Sequence, residues 1–341
     1  MPENEKRFKK VMNKIGIAML LFLAFINIFS ALSNPLTTVF KYAMGEEIGR
    51  VVGKLAYSFL YLLSFVLPAC ILMGMVKKDG AELMLERKLP KDAIAYILAS
   101  ISIVYTFAVI NSYFVSVFGY SDFSSEYLWG NEAMTNTDLM LELIGTAMVP
   151  AVCEEILFRG AILSALKPYG KTPSIIISAI LFGLMHQNAE QLLYTTVAGI
   201  LLAWVVYETG SIWCSILIHF FNNFIGVFEN ALSERVNTVY ADSVILIFEG
   251  LIFLSGVISI AYLLTKKLKN KENGKIFNGG FYKKNLNASD FDGSVKVALS
   301  AGRITRLFFS PTVIVFTTLS VLTMIAYILM SLLHRLGVLT L

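Results

Sequence analysis

The chain has 341 residues, of which 56% are hydrophobic and only 15% charged, with a mean hydropathy of +0.69. That composition excludes an ordinary soluble domain and reads as an all-α, polytopic integral membrane protein in one domain over 1–341. The formal net charge of +4 is small and sits in particular loops rather than in a groove-sized patch, so nucleic acid is not expected as a partner.

Apolar runs long enough to span a bilayer, about 17–25 residues each, occur at 11–33, 53–76, 92–118, 138–166, 190–208, 211–229, 241–265 and 309–333, with a shorter one at 173–187. Nine transmembrane helices are therefore expected. The first run follows a basic start and lacks a small-residue cleavage site, so it is read as a retained helix. Lys6, Arg7, Lys9, Lys10 and Lys14 before it predict a cytoplasmic N-terminus. The loops then alternate in charge. Lys77, Lys78, Arg87, Lys88 and Lys91 follow the second run, whereas Asp122, Glu126 and Glu132 follow the third. Lys167 and Lys171 return to the basic side, and 266–306 holds ten basic residues, which makes it a basic cytoplasmic loop suited to anionic headgroups. A loop expected over 34–52 fits less well, because it carries Lys41 and Arg50 on the predicted outer side, offset by Glu46 and Glu47. Cys70, Cys153 and Cys214 lie in apolar runs without C-x-x-C spacing and are expected to be small core residues.

Within the fourth run stands Ala151-Val-Cys-Glu154-Glu155-Ile-Leu-Phe-Arg159-Gly160. Ionisable groups at membrane depth cost at least a few kcal/mol each, so they face a protein interior or a watery cavity and usually have a function. Glu155 and Arg159 are spaced i and i+4 and can pair on one helix face, while Glu154 is turned about 100° away. A structural Glu-Arg clamp accounts for Glu155 and Arg159 but leaves Glu154 without a partner. Two of the three histidines also fall in apolar runs, in Phe182-Gly-Leu-Met-His186 and His219-Phe-Phe-Asn222-Asn223. Helical rise puts Glu154 about 18 Å from Leu166, His186 about 20 Å from Pro173 and His219 about 12 Å from Ser211. All three then reach one layer, opening toward the cytoplasmic half.

On the seventh run His219, Asn223 and Gly226 follow i, i+4, i+7 and share a face. Hydrolysis of a peptide needs a general base for water, a donor for the oxyanion and exclusion of bulk solvent, roles open to Glu154, to His186 with His219, and to Asn223. A metal version is equally conceivable: a zinc ion held by His186, His219 and a carboxylate, Glu154 or Glu155, matches the N and O ligands zinc takes. Gln191, Thr195 and Thr196 on the sixth run could line the cavity or hydrogen-bond between helices, and the second reading is favoured.

The ordered set Glu154-Glu155-x-x-x-Arg159, Phe182-x-x-x-His186 and His219-x-x-x-Asn223 resembles the CPBP family: type II CAAX prenyl proteases and the related bacteriocin-processing or self-immunity membrane proteins, also called Abi. The resemblance covers roughly 138–229, the catalytic core helices. It implies an intramembrane endopeptidase in which Glu154 activates water, Glu155 and Arg159 support it, and His186, His219 and Asn223 complete the site. A metalloprotease and a glutamate-dependent mechanism are both implied. The expected partners are the bilayer and a membrane-associated peptide or protein in a bacterial cell membrane; substrate and oligomeric state are unassigned. Two rivals use the same residues, a non-enzymatic binding or self-immunity protein and a proton-coupled carrier, the latter requiring discontinuous helices at the site.

Overall fold

The computed structural model describes residues 3–77, 89–118, 135–236, 238–272, 304 and 308–335. Among these residues there are helices and no strands. In chain order they are α1 (Glu3–Met44), α2 (Glu46–Lys77), α3 (Ala93–Phe118), α4 (136–166), α5 (Lys171–Met185), α6 (Ala189–Thr209), α7 (Ile212–Arg235), α8 (Thr238–Glu272) and α9 (Pro311–Arg335). Seven of them, α1, α2, α3, α6, α7, α8 and α9, are long and apolar enough to cross a membrane. The outer faces fit that solvent: Leu246, Ile247, Leu251 and Phe253 on α8 are all more than half exposed, an apolar surface that water would not tolerate. The chain is an all-α integral membrane protein.

α4 is the irregular member. It opens on a capping box in which Thr135 and Asp138 each bond the other's backbone N–H. It then passes through Asn136–Glu142, a π-helical turn at Leu143–Met148, Val149–Glu155, a second π-helical turn at Ile156–Ile162, and Leu163–Leu166. Pro150 follows the first π-turn, and its missing N–H cannot serve the carbonyl of Thr146 four residues back. The chain adjusts by widening, and Val149 N–H bonds Ile144, five residues back. α4 nevertheless stays helical throughout, without the unwound stretch that the carrier reading required.

The 34–52 loop expected from the sequence is not a loop. α1 and α2 form a hairpin whose turn is confined to Gly45, at φ 87°, a left-handed conformation that glycine adopts without a Cβ clash. Gly49 lets the two helices touch, since a Cβ there would stand 2.3 Å from the Lys41 backbone. The charges that looked misplaced have acidic partners: Lys41 reaches Glu46 at 2.5 Å, and Arg50 is paired with Glu47 and Asp138. The 266–306 segment also begins differently from its expected loop. Residues 266–272 continue α8, because Lys266 and Tyr262 both bind Asp92 at the start of α3; apart from Ile304, the rest of that segment lies outside the described residues, as does the acidic stretch 119–134. Cys153 and Cys214 are buried as expected, whereas Cys70 is exposed on α2.

A core cluster joins Phe8, Met12 and Met19 of α1, Phe65 and Leu72 of α2, Phe158 of α4, Phe182 of α5 and Phe316 of α9. A second cluster ties α3, α6 and α7 through Tyr96, Leu202 and Ile218. The two clusters flank α4, and the polar residues of α4 sit between them.

Candidate active site

Glu154 and Glu155 close the third segment of α4, at 3% and 0% exposure. Their adjacency sends them to opposite tasks. Glu155 Oε1 accepts from Arg159 Nη1 at 2.7 Å, the i, i+4 pair expected from spacing, and also from His219 Nδ1 at 3.0 Å. The fully buried Arg159 donates a second bond from Nη2 to the Gly199 carbonyl at 3.2 Å, and its guanidinium lies 4.5 Å from the centre of the Phe182 ring. Glu154 faces away from this pair. Its Oε1 accepts from the Tyr61 hydroxyl at 2.7 Å, while its Oε2 is buried without a protein hydrogen bond, 3.8 Å from His219 Nε2.

The histidines are oriented from behind. A carbonyl can only accept, so His186 Nδ1, 2.9 Å from the Phe182 carbonyl, carries a hydrogen and turns Nε2 outward. His219 Nδ1 donates to Glu155 by the same reasoning and presents Nε2 to Glu154. Phe182 packs edge-on against both rings, with centroids 5.1 and 5.8 Å away, and separates them from the core. Asn223 is held in a chain: Tyr194 donates to Asn222 at 2.7 Å, Asn222 to Asn223 at 3.2 Å, and Asn223 Nδ2 to the Thr146 carbonyl at 3.2 Å. That carbonyl is the one Pro150 leaves without its usual helical donor.

Glu154, His186, His219 and Asn223 line one cavity of about 890 Å³, whereas Glu155 and Arg159 stand behind its wall. The structure therefore brings all six sequence-picked residues into one assembly, four facing the cavity and two supporting it. The expected opening is corrected. The cavity runs toward the start of α4 and the end of α7, where Glu142, Glu229 and Glu234 line it, and not toward Leu166. At the Leu166 end, Leu163, Leu166 and Ile175 are buried and Ser174 caps the Leu166 carbonyl at 2.7 Å. Gln191 and Thr195 line the cavity, and the hydroxyls of Thr195 and Thr196 bond back to their own helix at Gln191 and Leu192, so these residues do not bridge helices as expected.

The zinc expectation is tested by the donor set. Two imidazole Nε2 atoms and a carboxylate are the right chemistry, yet among the described residues no group of three or more His, Cys, Asp or Glu side chains is placed to hold a metal ion. In this geometry His186, His219 and Glu154 are not gathered into such a group. Tyr61 was missed by sequence reasoning. Tyr57, Tyr61 and Phe65 form an i, i+4, i+8 aromatic stripe on α2 that reads as core, and no local signal links Tyr61 to a carboxylate so far along the chain.

A family model described as type II CAAX prenyl endopeptidase Rce1-like matches residues 136–225, a segment that contains all six residues. The chain is also 28% identical over 210 residues to the protein named "Putative membrane peptidase YdiL" of Bacillus subtilis (strain 168), a match covering 57% of this chain and 81% of that protein. No solved structure matches. The resemblance to CPBP-family proteases stated from the motifs is supported by both findings.

Breaking a buried ion pair from one side costs about 3–5 kcal/mol, because the remaining charge is left uncompensated. Glu155→Gln is expected to lower the midpoint of thermal unfolding in detergent by many degrees, and the Glu155→Gln/Arg159→Met double variant should recover much of that loss. Turnover should not recover with stability, since His219 would still lack its ionised acceptor. Equal melting of the single variant and the wild type would remove the pair from its structural role.

Proposed function

We propose that the chain is an intramembrane endopeptidase in which Glu154 is the general base for hydrolysis of a peptide bond in a membrane-associated peptide or protein. The observation that carries this reading is the state of Glu154: one oxygen is fixed by Tyr61, and the other is buried, without a protein hydrogen bond, beside His219 and facing the cavity.

The 3.8 Å between Glu154 Oε2 and His219 Nε2 is too long for a direct hydrogen bond and suits a water shared by the two groups. Glu154 takes a proton from that water as its oxygen attacks the scissile carbonyl. The tetrahedral oxyanion is stabilised by Asn223, which commits one amide hydrogen to Thr146 and keeps a second, while His186 turns an accepting Nε2 to the cavity, suited to a substrate N–H. Glu154 then returns its proton to the leaving nitrogen as the C–N bond breaks. Tyr61 and His219 orient the carboxylate, while Glu155 and Arg159 hold His219 in place.

Three outcomes test the reading. Glu154→Gln preserves shape and removes the base, so single-turnover cleavage should fall by about 10²–10⁴-fold while the melting temperature stays close to wild type. Near wild-type cleavage would remove Glu154 from the role.

The same scheme routes no step through a metal, so exhaustive chelation should leave turnover intact. Loss of activity on chelation, restored by one equivalent of zinc, would replace it with a metal mechanism.

The loop charges further support a cytoplasmic N-terminus. In a Cys70→Ser background, Tyr42→Cys, a position 89% exposed near the α1–α2 turn, should react with an impermeant maleimide on intact cells. Lys269→Cys at the end of α8 should react only after permeabilisation; the reverse pattern inverts the topology.

A further inference from the structure

We propose that the substrate segment admitted to this cavity is cationic: a polypeptide carrying lysine or arginine about five or six residues from the bond that is cut. The inference rests on the endopeptidase reading and names the substrate class for the same site. It begins with the sign of the walls. Among the described residues Glu142, Glu154, Glu190, Glu229 and Glu234 line the cavity, and no lysine or arginine does.

The neighbouring cations lie outside the lining. Arg50 is paired with Asp138, Lys54 stands 3.5 Å from the same carboxylate and also within electrostatic reach of Glu142, and Arg235 donates to Asn136 and to the Thr135 carbonyl. Arg159 is behind the wall on Glu155. One discount applies to the acids. Tyr105 brings a single hydroxyl to Glu229 at 2.7 Å and to Glu249 at 2.5 Å, and one hydrogen cannot serve two ionised carboxylates, so that pair counts as one charge. The field of the vestibule still comes from Glu142 and Glu234 together with that shared charge. A cleft of one sign with low-dielectric walls focuses its field and raises the local concentration of the opposite charge. The rings of Tyr57 and Tyr194 on the same walls offer a second attraction for a cation.

The spacing converts charge into register. Glu142 precedes Glu154 by twelve residues, which is about 18 Å along a helix, and Glu234 follows His219 by fifteen, about 22 Å. Both acids lie toward the same end, since Arg235 of α7 bonds Asn136 of α4 there. An extended peptide covers about 3.3–3.6 Å per residue, so a chain with its scissile carbonyl at Glu154 places a residue about five or six positions away between Glu142 and Glu234. An independent feature marks the inner end as a place for a ligand: Glu154 Oε2, in a side chain only 4% exposed, is aimed into the cavity without a protein partner. An anionic segment would meet repulsion along the whole path, and a neutral one would gain nothing from the mouth.

The test uses the full chain in detergent and a matched peptide set with one apolar centre, carrying Lys, Gln or Glu five or six residues to either side of it. Cleavage is read by mass spectrometry, and binding of the same labelled peptides to the Glu154→Gln protein is read by anisotropy. The Lys peptides should exceed the Glu peptides by at least about ten-fold in kcat/KM and in affinity, a difference that shrinks as salt is raised. The Glu142→Gln/Glu234→Gln double variant should bring that ratio close to one. Equal cleavage or equal binding of Lys and Glu peptides overturns the inference and leaves the endopeptidase reading standing. Selective binding of Lys peptides with none cleaved by the wild type upholds the cationic class and overturns the endopeptidase reading instead.

Discussion

Arg159 and Glu155 are both fully buried in a bundle that has almost no water to offer them, and the arrangement of α4, α5, α6 and α7 follows from satisfying that pair. Removing two such ions from water costs on the order of several kcal/mol each, which mutual attraction offsets only when the remaining hydrogen-bonding capacity is used. The bundle uses part of it by bringing in three helices, although Arg159 Nε and Glu155 Oε2 are buried without a hydrogen-bond partner among the described residues. Gly199 of α6 supplies a carbonyl, Phe182 of α5 supplies an aromatic face, and His219 of α7 supplies a ring hydrogen to the same carboxylate oxygen. The ion pair is thus a four-helix junction, and His219 cannot be placed without it.

The junction also explains how neighbouring residues of one type come to do different work. Glu155 points into the junction and meets cations and donors; Glu154, one residue earlier, points at the cavity and meets Tyr61. The wall of the cavity runs between them. A carboxylate tied to a guanidinium is held as an ion and makes a poor base, whereas one held by a single hydroxyl keeps an oxygen for water. The tyrosine fixes the carboxylate plane at little electrostatic expense.

Much of this was legible in the chain. The i, i+4 spacing of Glu155 and Arg159 survives even though a π-turn begins just after Glu155, because residues four apart remain neighbours on the wider winding. The three motif segments could be placed in one layer from helical rise alone, since hydrophobic length ties each helix to the same slab. Tyr61, Tyr194 and the route of the cavity were not legible. An aromatic ring in an apolar helix looks the same from sequence whether its hydroxyl meets a carboxylate or its ring fills a core, and the difference is a tertiary contact. The 34–52 stretch misled for a related reason: Glu46 and Glu47 were visible as offsetting acids, but the tight helical hairpin that joins Lys41 to Glu46 and the pairing of Arg50 with Asp138 on another helix are tertiary features.

The two π-turns of α4 bear on the site beyond the local winding. A regular helix consumes its own carbonyls and presents only side chains to its neighbours. In α4 the Thr146 carbonyl, left without a donor by Pro150, accepts from Asn223 of α7, and the Phe158 carbonyl in the second π-turn accepts from Ser178 of α5 at 3.4 Å. The helix is therefore tied by its backbone to both neighbours, about two turns before the glutamates and one turn after them. Side chains anchored to a backbone held at two points have little freedom to drift. Glu154, proposed as the base and set beside a histidine on another helix, gains its geometry from that anchoring as much as from its own contacts.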